Sequence, residues 1–279
     1  MRILAMGDFH GTMPWGLKTF VKKNKVDLIL SPGDFYGFCL KRQYWKHFYE
    51  LKRTKYGGVK SEGLKEIVGA KRYKECEKKD KMSGINVLKY LDRIGKPVFV
   101  VYGNGDIVDA FKRKRKKSKK FTVYDLKNVK FIDLVSESFE GFYFVGLVDR
   151  EFIMLKKKRT KGVISTRKRL RKKIKKIFKK VDLDKTILMS HRPPYNTKLD
   201  RVNDPKIPGY GKHYGDEFLR KVIERYQPLL NVCGHMHENQ GKIRVGKTLV
   251  VNSGYGKKGE FVVLDLKGKK INVRFYKSF

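Results

Sequence analysis

Five short segments end apolar runs with residues that can bind a metal ion. "GDFHG" (7–11) carries Asp8 and His10, and "PGDFYG" (32–37) carries Asp34. "GNGD" (103–106) carries Asn104 and Asp106, "SHRPP" (190–194) carries His191, and "GHMH" (234–237) carries His235 and His237. The chain has six histidines, and four of them stand in these segments; His47 and His213 are the exceptions. Any one segment alone reads as an ordinary turn, because Asn, Gly and Asp are common turn residues. Five in series, each at the end of an apolar run, read as a site. Carboxylate, imidazole and amide oxygen without thiolate exclude a structural cysteine-type zinc site. They suit Mn²⁺, Fe, Co²⁺, Ni²⁺ or Zn²⁺ in five- or six-coordinate geometry. The set is too large for one ion and sufficient for two. Two ions ~3.5–4 Å apart suit phosphoryl chemistry, because together they acidify a water and clamp the phosphate oxygens.

The elements that carry these residues follow from the same runs. "RILAMGD", "VDLILSPGD", "PVFVVYGNGD", "TILMSH" and "LLNVCGH" are continuous apolar stretches, which fit strands covered on both faces. Helical patterns lie between several of them, at 14–23, 163–181 and 216–226. The last has Asp216 as an N-cap and Pro228 just past its end. This is alternating β and α, and ligands in such sheets bind at the carboxyl ends of strands. The tail reads as an antiparallel meander of short strands: "GKIRVG", "TLVVNSG", "EFVVLDL" and "INVRFYK". A similar set occupies 121–147. Parallel and antiparallel pairing are therefore expected together, in two sheets. Residues 38–95 read as a mostly helical insertion able to cap a site. Residues 112–120, "KRKRKKSKK", form a basic loop.

With 279 residues the chain can bury a large core. It holds 67 basic against 28 acidic residues, a formal charge of +39. Such a field concentrates polyanions, with nucleic acid the first candidate and an anionic membrane surface the second, or the lysine-rich faces simply solvate the fold. Cys39, Cys76 and Cys233 lie far apart and make neither a disulfide framework nor a zinc knuckle. They read as buried reduced thiols of a cytoplasmic protein. No apolar run approaches the ~18 residues of a membrane helix, and "MRILAMGD" is too short an apolar stretch for a signal peptide.

The ordered series "GDFHG", "PGDFYG", "GNGD", "SHRPP", "GHMH" resembles the calcineurin-like metallophosphoesterase superfamily. "HRPPYNTKLD" and "GHMHENQG", followed by "TLVVNSG", are most similar to its small prokaryotic and archaeal single-domain members. The resemblance implies one α/β domain over 1–279, a four-layer α/β/β/α sandwich of two mixed sheets flanked by helices. It implies two divalent ions, Mn²⁺ first and Fe, Ni²⁺, Co²⁺ or Zn²⁺ as alternatives. Asp8, His10 and His237 would hold the first, Asn104, His191 and His235 the second, and Asp34 would bridge them. The implied activity is phosphoester hydrolysis, most directly of a phosphodiester by a metal-activated hydroxide. A phosphomonoesterase of the same fold, or a basic nucleic-acid-binding scaffold without catalysis, is the alternative.

The sequence also departs from the family. The third motif of relatives commonly has His between Asn and Asp, where it serves as general acid; here that residue is Gly105. The second motif often has a further Asp where this chain has Gly37. All metal ligands are kept, so loss of catalysis is not implied. General acid catalysis contributes about 10²–10⁴-fold, so substrates with poor leaving groups should suffer most. His213 could approach from the loop before the last helix and take part in catalysis, with Asp34, Asn104 and Asp106. Asp106 is also placed to buttress its loop. Arg192 and Asn196, beside His191, could contact the phosphate. The helix at 163–181 has a thin apolar stripe and a wide basic face; its first role is to cover a sheet and solvate the outside, and beyond that the basic face could track a phosphate backbone. Tyr44, Trp45, Phe48, Tyr49, Tyr56 and Tyr73 could stack bases or form the insertion's own small core.

Overall fold

A computed structural model describes residues 1–44, 46, 61–106, 125–147, 161–205 and 209–279. His47, the basic loop 112–120, and Trp45, Phe48, Tyr49 and Tyr56 lie outside the described residues. Twelve described strands form two six-stranded sheets. The first is built from β1 (Arg2–Ala5), β2 (Leu28–Ser31), β3 (Val98–Val100), β4 (Val129–Phe131), β11 (Phe261–Lys267) and β12 (Lys270–Tyr276), in the order β12-β11-β1-β2-β3-β4. The second contains β5 (Ser136–Phe139), β6 (Phe142–Gly146), β7 (Thr186–Met189), β8 (Leu230–Cys233), β9 (Gly241–Val245) and β10 (Thr248–Asn252), in the order β5-β6-β7-β8-β10-β9. Strands β1 to β4 run parallel, as do β6, β7, β8 and β10; the other pairs are antiparallel.

Alternation along the strands builds the layers. In β1 and the residue after it, Leu4 and Met6 face one core while Ile3 and Ala5 face another; in β2, Ile29 opposes Leu28 and Leu30 in the same way. The middle core lies between the sheets, where Ile3, Leu28 and Leu30 meet Ile187, Met189, Leu230 and Val232. Helices close the two outer faces. Over the first sheet lie α1 (Leu17–Lys23), through Leu17 and Val21, and α3 (Ala70–Asp92), through Ile85, Val87, Leu88 and Leu91. Over the second lie α4 (Lys161–Phe178), through Leu170, Ile174 and Phe178, and α5 (Glu217–Tyr226), through Leu219, Val222 and Ile223. The short α2 (Ser61–Val68) precedes α3. The result is the four-layer α/β/β/α sandwich.

Helix limits follow local chemistry. The Asp216 carboxylate accepts from the backbone N–H of Phe218 and Leu219 and caps α5 as expected. The first helix starts at Leu17 rather than at residue 14, because Gly16 takes a left-handed conformation there.

Two expectations are corrected. The tail is not one meander: β9 and β10 join the second sheet, where β10 runs parallel to β8, while β11 and β12 join the first. The loop at 253–260 carries the chain from one sheet to the other. The cysteines are not all free thiols either. Cys39 and Cys76 are joined as a disulfide with Cα atoms 5.4 Å apart, and only Cys233 is free and buried. This bridge removes the argument for a reducing compartment. Beside it, Asp80 accepts from the Cys39 N–H and the Ser83 hydroxyl oxygen accepts from the Gly37 N–H. One face of α3 is thereby tied to the loop after Asp34. Among the described residues no helix is long and apolar enough to cross a membrane.

Candidate metal centre

The five segments meet where the carboxyl ends of β1, β2 and β3 face those of β7 and β8. Their backbones are shaped for it: Asp8 (φ 56°), His10 (45°), Asp34 (57°) and His235 (70°) all sit in the left-handed region. Non-glycine residues are uncommon there, and clusters of them mark functional sites. Two glycines are required by close approach. A Cβ on Gly103 would collide with the Asp34 carboxylate, and one on Gly234 with that of Asp8.

The side chains form two groups around Asp34. In the first, His10 Nε2 lies 3.1 Å from His237 Nε2, which lies 3.2 Å from Asp8 Oδ1. In the second, His191 Nε2 lies 2.9 Å from Asn104 Oδ1 and 3.2 Å from His235 Nδ1. Asp34 Oδ2 stands between them, 3.8 Å from His10 Nε2 and 3.5 Å from His191 Nε2. The donor atoms of Asp8, His10 and His237, and likewise those of Asp8, Asp34 and His191, lie within 4.8 Å of one another.

The donor chemistry fits a cation. His191 Nδ1 is 2.8 Å from the Pro32 carbonyl, which can only accept, so Nδ1 carries the proton. In the neutral ring Nε2 then turns a lone pair toward Asn104 Oδ1 and Asp34 Oδ2. Three acceptors converging on one point repel unless a positive charge, a metal ion or a proton on Nε2, lies between them. The backbone bond on the far nitrogen is also the usual way a metal-ligating imidazole is oriented.

Electrostatics favour ligand forms of the side chains. Burial drives the His235 imidazole well below its ordinary range, with His191 and Arg192 adding to it. Burial likewise lowers His10, against the pull of Asp34 and Asp8. Burial alone would raise Asp8, but the hydrogen bond and charge of His237, with His191 and His10, hold its carboxyl below the usual value. Neutral imidazoles and an ionised carboxylate are the metal-binding states.

Asp106 lies outside the inward-facing donors. It is fully buried and accepts from the backbone N–H of Gly103 (2.8 Å), Asp34 (2.9 Å), Phe35 (2.8 Å) and Tyr36 (3.4 Å). It therefore clamps the second motif to the third. Burial, then the charge of Asp34, pushes its carboxyl up to about 7, against the hydrogen bonds from Gly103 and Phe35. Gly105 donates its N–H to Asp34 Oδ1 at 2.7 Å.

The remaining expected residues lie on the loop after His191. His213 Nδ1 is 2.8 Å from Asp200 Oδ1, and its ring meets Tyr195 edge-on. Asp200 is fully buried and also accepts from the N–H of Asn196, Thr197 and Gly215. Asn196 is exposed, and Arg192 Nη1 reaches the Tyr214 carbonyl at 3.5 Å. Two residues escaped sequence reasoning. Asp200 organises this loop, and its signal was the "KLD" that ends "HRPPYNTKLD". Tyr255, in "NSGYG", stacks on His237 with ring centroids 4.0 Å apart and planes 6° apart.

A sandwich with this rim of carboxylate, imidazole and amide donors defines a metal-dependent phosphoesterase class. The chain belongs to the calcineurin superfamily of metallophosphoesterases, whose family model matches residues 1–275. The "Uncharacterized protein MJ1162" of Methanocaldococcus jannaschii is 38% identical over 93 residues, which is 30% of this chain and 40% of that protein. The "UPF0046 protein K07C11.7" of Caenorhabditis elegans is 33% identical over 82 residues, 29% of this chain and 26% of that protein. The matches thus span less than half of either relative. TT1561 of Thermus thermophilus shares the fold, with a TM-score of 0.56 at 14% identity over 98% of this chain and 97% of that one. Another solved structure superposes with a TM-score of 0.62 at 17% identity, over 98% of each chain.

Proposed function

We propose that the protein is a dinuclear metal-dependent phosphodiesterase with nucleotides or nucleic acid as its substrate class. The observation that carries this is the set of acceptors converging on His191 Nε2, with Asp34 Oδ2 standing between that group and the Asp8–His10–His237 group. Asp8, His10 and His237 would hold one divalent ion, Asn104, His191 and His235 the other, and Asp34 both. Mn²⁺ is the first choice among Fe, Ni²⁺, Co²⁺ and Zn²⁺ for this oxygen- and nitrogen-rich set. Such ions would acidify a water, grip the phosphate oxygens and neutralise developing charge.

The chain's own groups divide the remaining work. Asp106 fixes the loops that present Asp34 and Asn104. Arg192 and Asn196 would meet the non-bridging phosphate oxygens from the loop after His191. His213, oriented by Asp200, would supply the leaving oxygen with a proton that Gly105 cannot give. Diesters with good leaving groups need that proton least, which favours them over monoesters.

Nucleic acid is favoured as a partner by one surface. The exposed side of α4 presents Lys168, Arg169, Arg171, Lys172, Lys173, Lys175 and Lys176, with no acidic residue between them. A bis-aryl phosphodiester, an aryl monoester, a cyclic nucleotide and single-stranded RNA, each assayed beside Asp34→Ala as blank, test the reading. Faster turnover of diesters supports it. Faster turnover of the monoester favours the phosphomonoesterase alternative, and RNA binding with no turnover of any substrate favours the scaffold.

A further inference from the structure

Metal-binding imidazoles need their ring planes fixed, and the four histidines of this site are not fixed alike. His191 is held through Nδ1 by the Pro32 carbonyl. His237 has no such bond: its contacts to His10 and Asp8 both use Nε2, and among the described residues nothing hydrogen-bonds its Nδ1. What covers it instead is an aromatic face. The Tyr255 ring lies flat on the His237 ring, centroids 4.0 Å apart and planes 6° apart. The same tyrosine meets His10 edge-on at 5.9 Å, and His10 and His237 meet edge-on at 5.0 Å. One ring thus touches both imidazoles of the Asp8 group.

The tyrosine is itself immobilised. Its N–H donates to Glu260 Oε2 at 2.9 Å, and Gly254 before it turns in the left-handed region. The next two residues bond into the first motif: the Gly256 N–H to the Gly7 carbonyl at 3.0 Å, and the Lys257 N–H to the Asp8 carbonyl at 3.1 Å. The Lys258 ammonium lies 5.9 Å from the Tyr255 ring centre, within cation–π range. This loop also carries the chain from the second sheet to the first, so the ring sits where both sheets constrain it.

We infer that Tyr255 is a positioning residue for the Asp8–His10–His237 metal site, fixing the His237 ring plane by stacking. The inference rests on the metal-binding reading above. Stacking does for His237 what a hydrogen bond on the far nitrogen does for His191. Losing an orienting partner of this kind typically costs about 10–100-fold in metal affinity. The ring does this work and the hydroxyl does not, so Phe should substitute for Tyr.

The test is calorimetric titration of metal-stripped protein with Mn²⁺, comparing wild type with Tyr255→Phe, Tyr255→Leu, Tyr255→Ala and His237→Ala. Wild type should show two binding events. Leu and Ala should weaken one event by about 10-fold or more, the same event that His237→Ala removes, and leave the other unchanged. Phe should bind as wild type does. The Leu variant fills the space without a flat face, so it answers the question even where Ala fails to fold. Two events of wild-type affinity in the Leu variant overturn this inference alone, as does a Phe variant as weak as Leu. A folded wild type that binds no divalent ion overturns the metal reading and this inference with it.

Discussion

The backbone N–H of Gly105 donates to Asp34 Oδ1 at 2.7 Å, and a Cβ added at Gly105 would stand 3.2 Å from that same oxygen. The position where the family resemblance implies an acid is therefore pressed against the carboxylate placed between the two donor groups. A side chain there must move Asp34 by a few tenths of an ångström, so crowding and proton supply have to be separated. Gly105→Ala isolates the crowding and should lower diester turnover by less than about tenfold, under 1.4 kcal/mol of barrier. Gly105→His, measured against that Ala variant, should raise turnover of an alkyl monoester by about 10²-fold, the lower end of general acid catalysis. Equal rates for the His and Ala variants would show that the missing imidazole does not limit monoesters.

Asp106 should matter more to the fold than its distance from the inward-facing donors suggests. Its carboxylate collects four backbone N–H groups from two motifs in a fully buried place. Asp106→Ala strands those donors, and a buried N–H left without an acceptor costs about 1–3 kcal/mol. Urea denaturation of the metal-free protein should show that loss. A change below about 1 kcal/mol would mean that water replaces the carboxylate at no great cost.

The Cys39–Cys76 bridge closes a loop with a sequence separation of 37. By loop-closure entropy such a cross-link stabilises by about 4 kcal/mol. A reducing agent should lower the melting temperature of wild type and leave Cys76→Ser unmoved. Equal melting curves with and without reductant would show that the bridge adds nothing to stability.

Replacing Lys172, Lys173 and Lys176 by Ala on the exposed side of α4 should weaken binding of labelled single-stranded RNA. It should also flatten the dependence of log K on log salt by about 0.7 for each phosphate no longer neutralised. Turnover of a small bis-aryl diester should stay unchanged, because none of the three lysines belongs to the donor cluster. An unchanged salt slope in fluorescence anisotropy would exclude this face as the interface.

Much of the site was legible because strand-end chemistry is local. A continuous apolar run predicts a strand buried on both faces, and the polar residue that ends it must stand at the rim. Asp8, Asp34, Asn104, His191 and His235 were placed in that way, and the structure brings them together. The Asp216 cap of α5 was equally local, since an N-cap needs only the next turn of helix. Long-range facts were not legible. The pairing of Cys39 with Cys76 depends on α3 lying beside the loop after Asp34, which no spacing announces. The tail strands resemble a meander because alternation says which face is buried and not which neighbour a strand takes. Tyr255 escaped notice for a related reason: a lone aromatic between glycines reads as a turn until its partner, His237, arrives from a different strand.

The central claim is that the inward-facing donors hold two divalent ions for phosphodiester hydrolysis. Hydrolysis of a bis-aryl phosphodiester by metal-stripped protein, titrated with Mn²⁺, measures it most directly. The account predicts no turnover without metal, a rise that saturates at two equivalents, and none at any level in Asp34→Ala. A folded wild type without turnover in Mn²⁺, Ni²⁺, Co²⁺, Fe²⁺ or Zn²⁺ would contradict it.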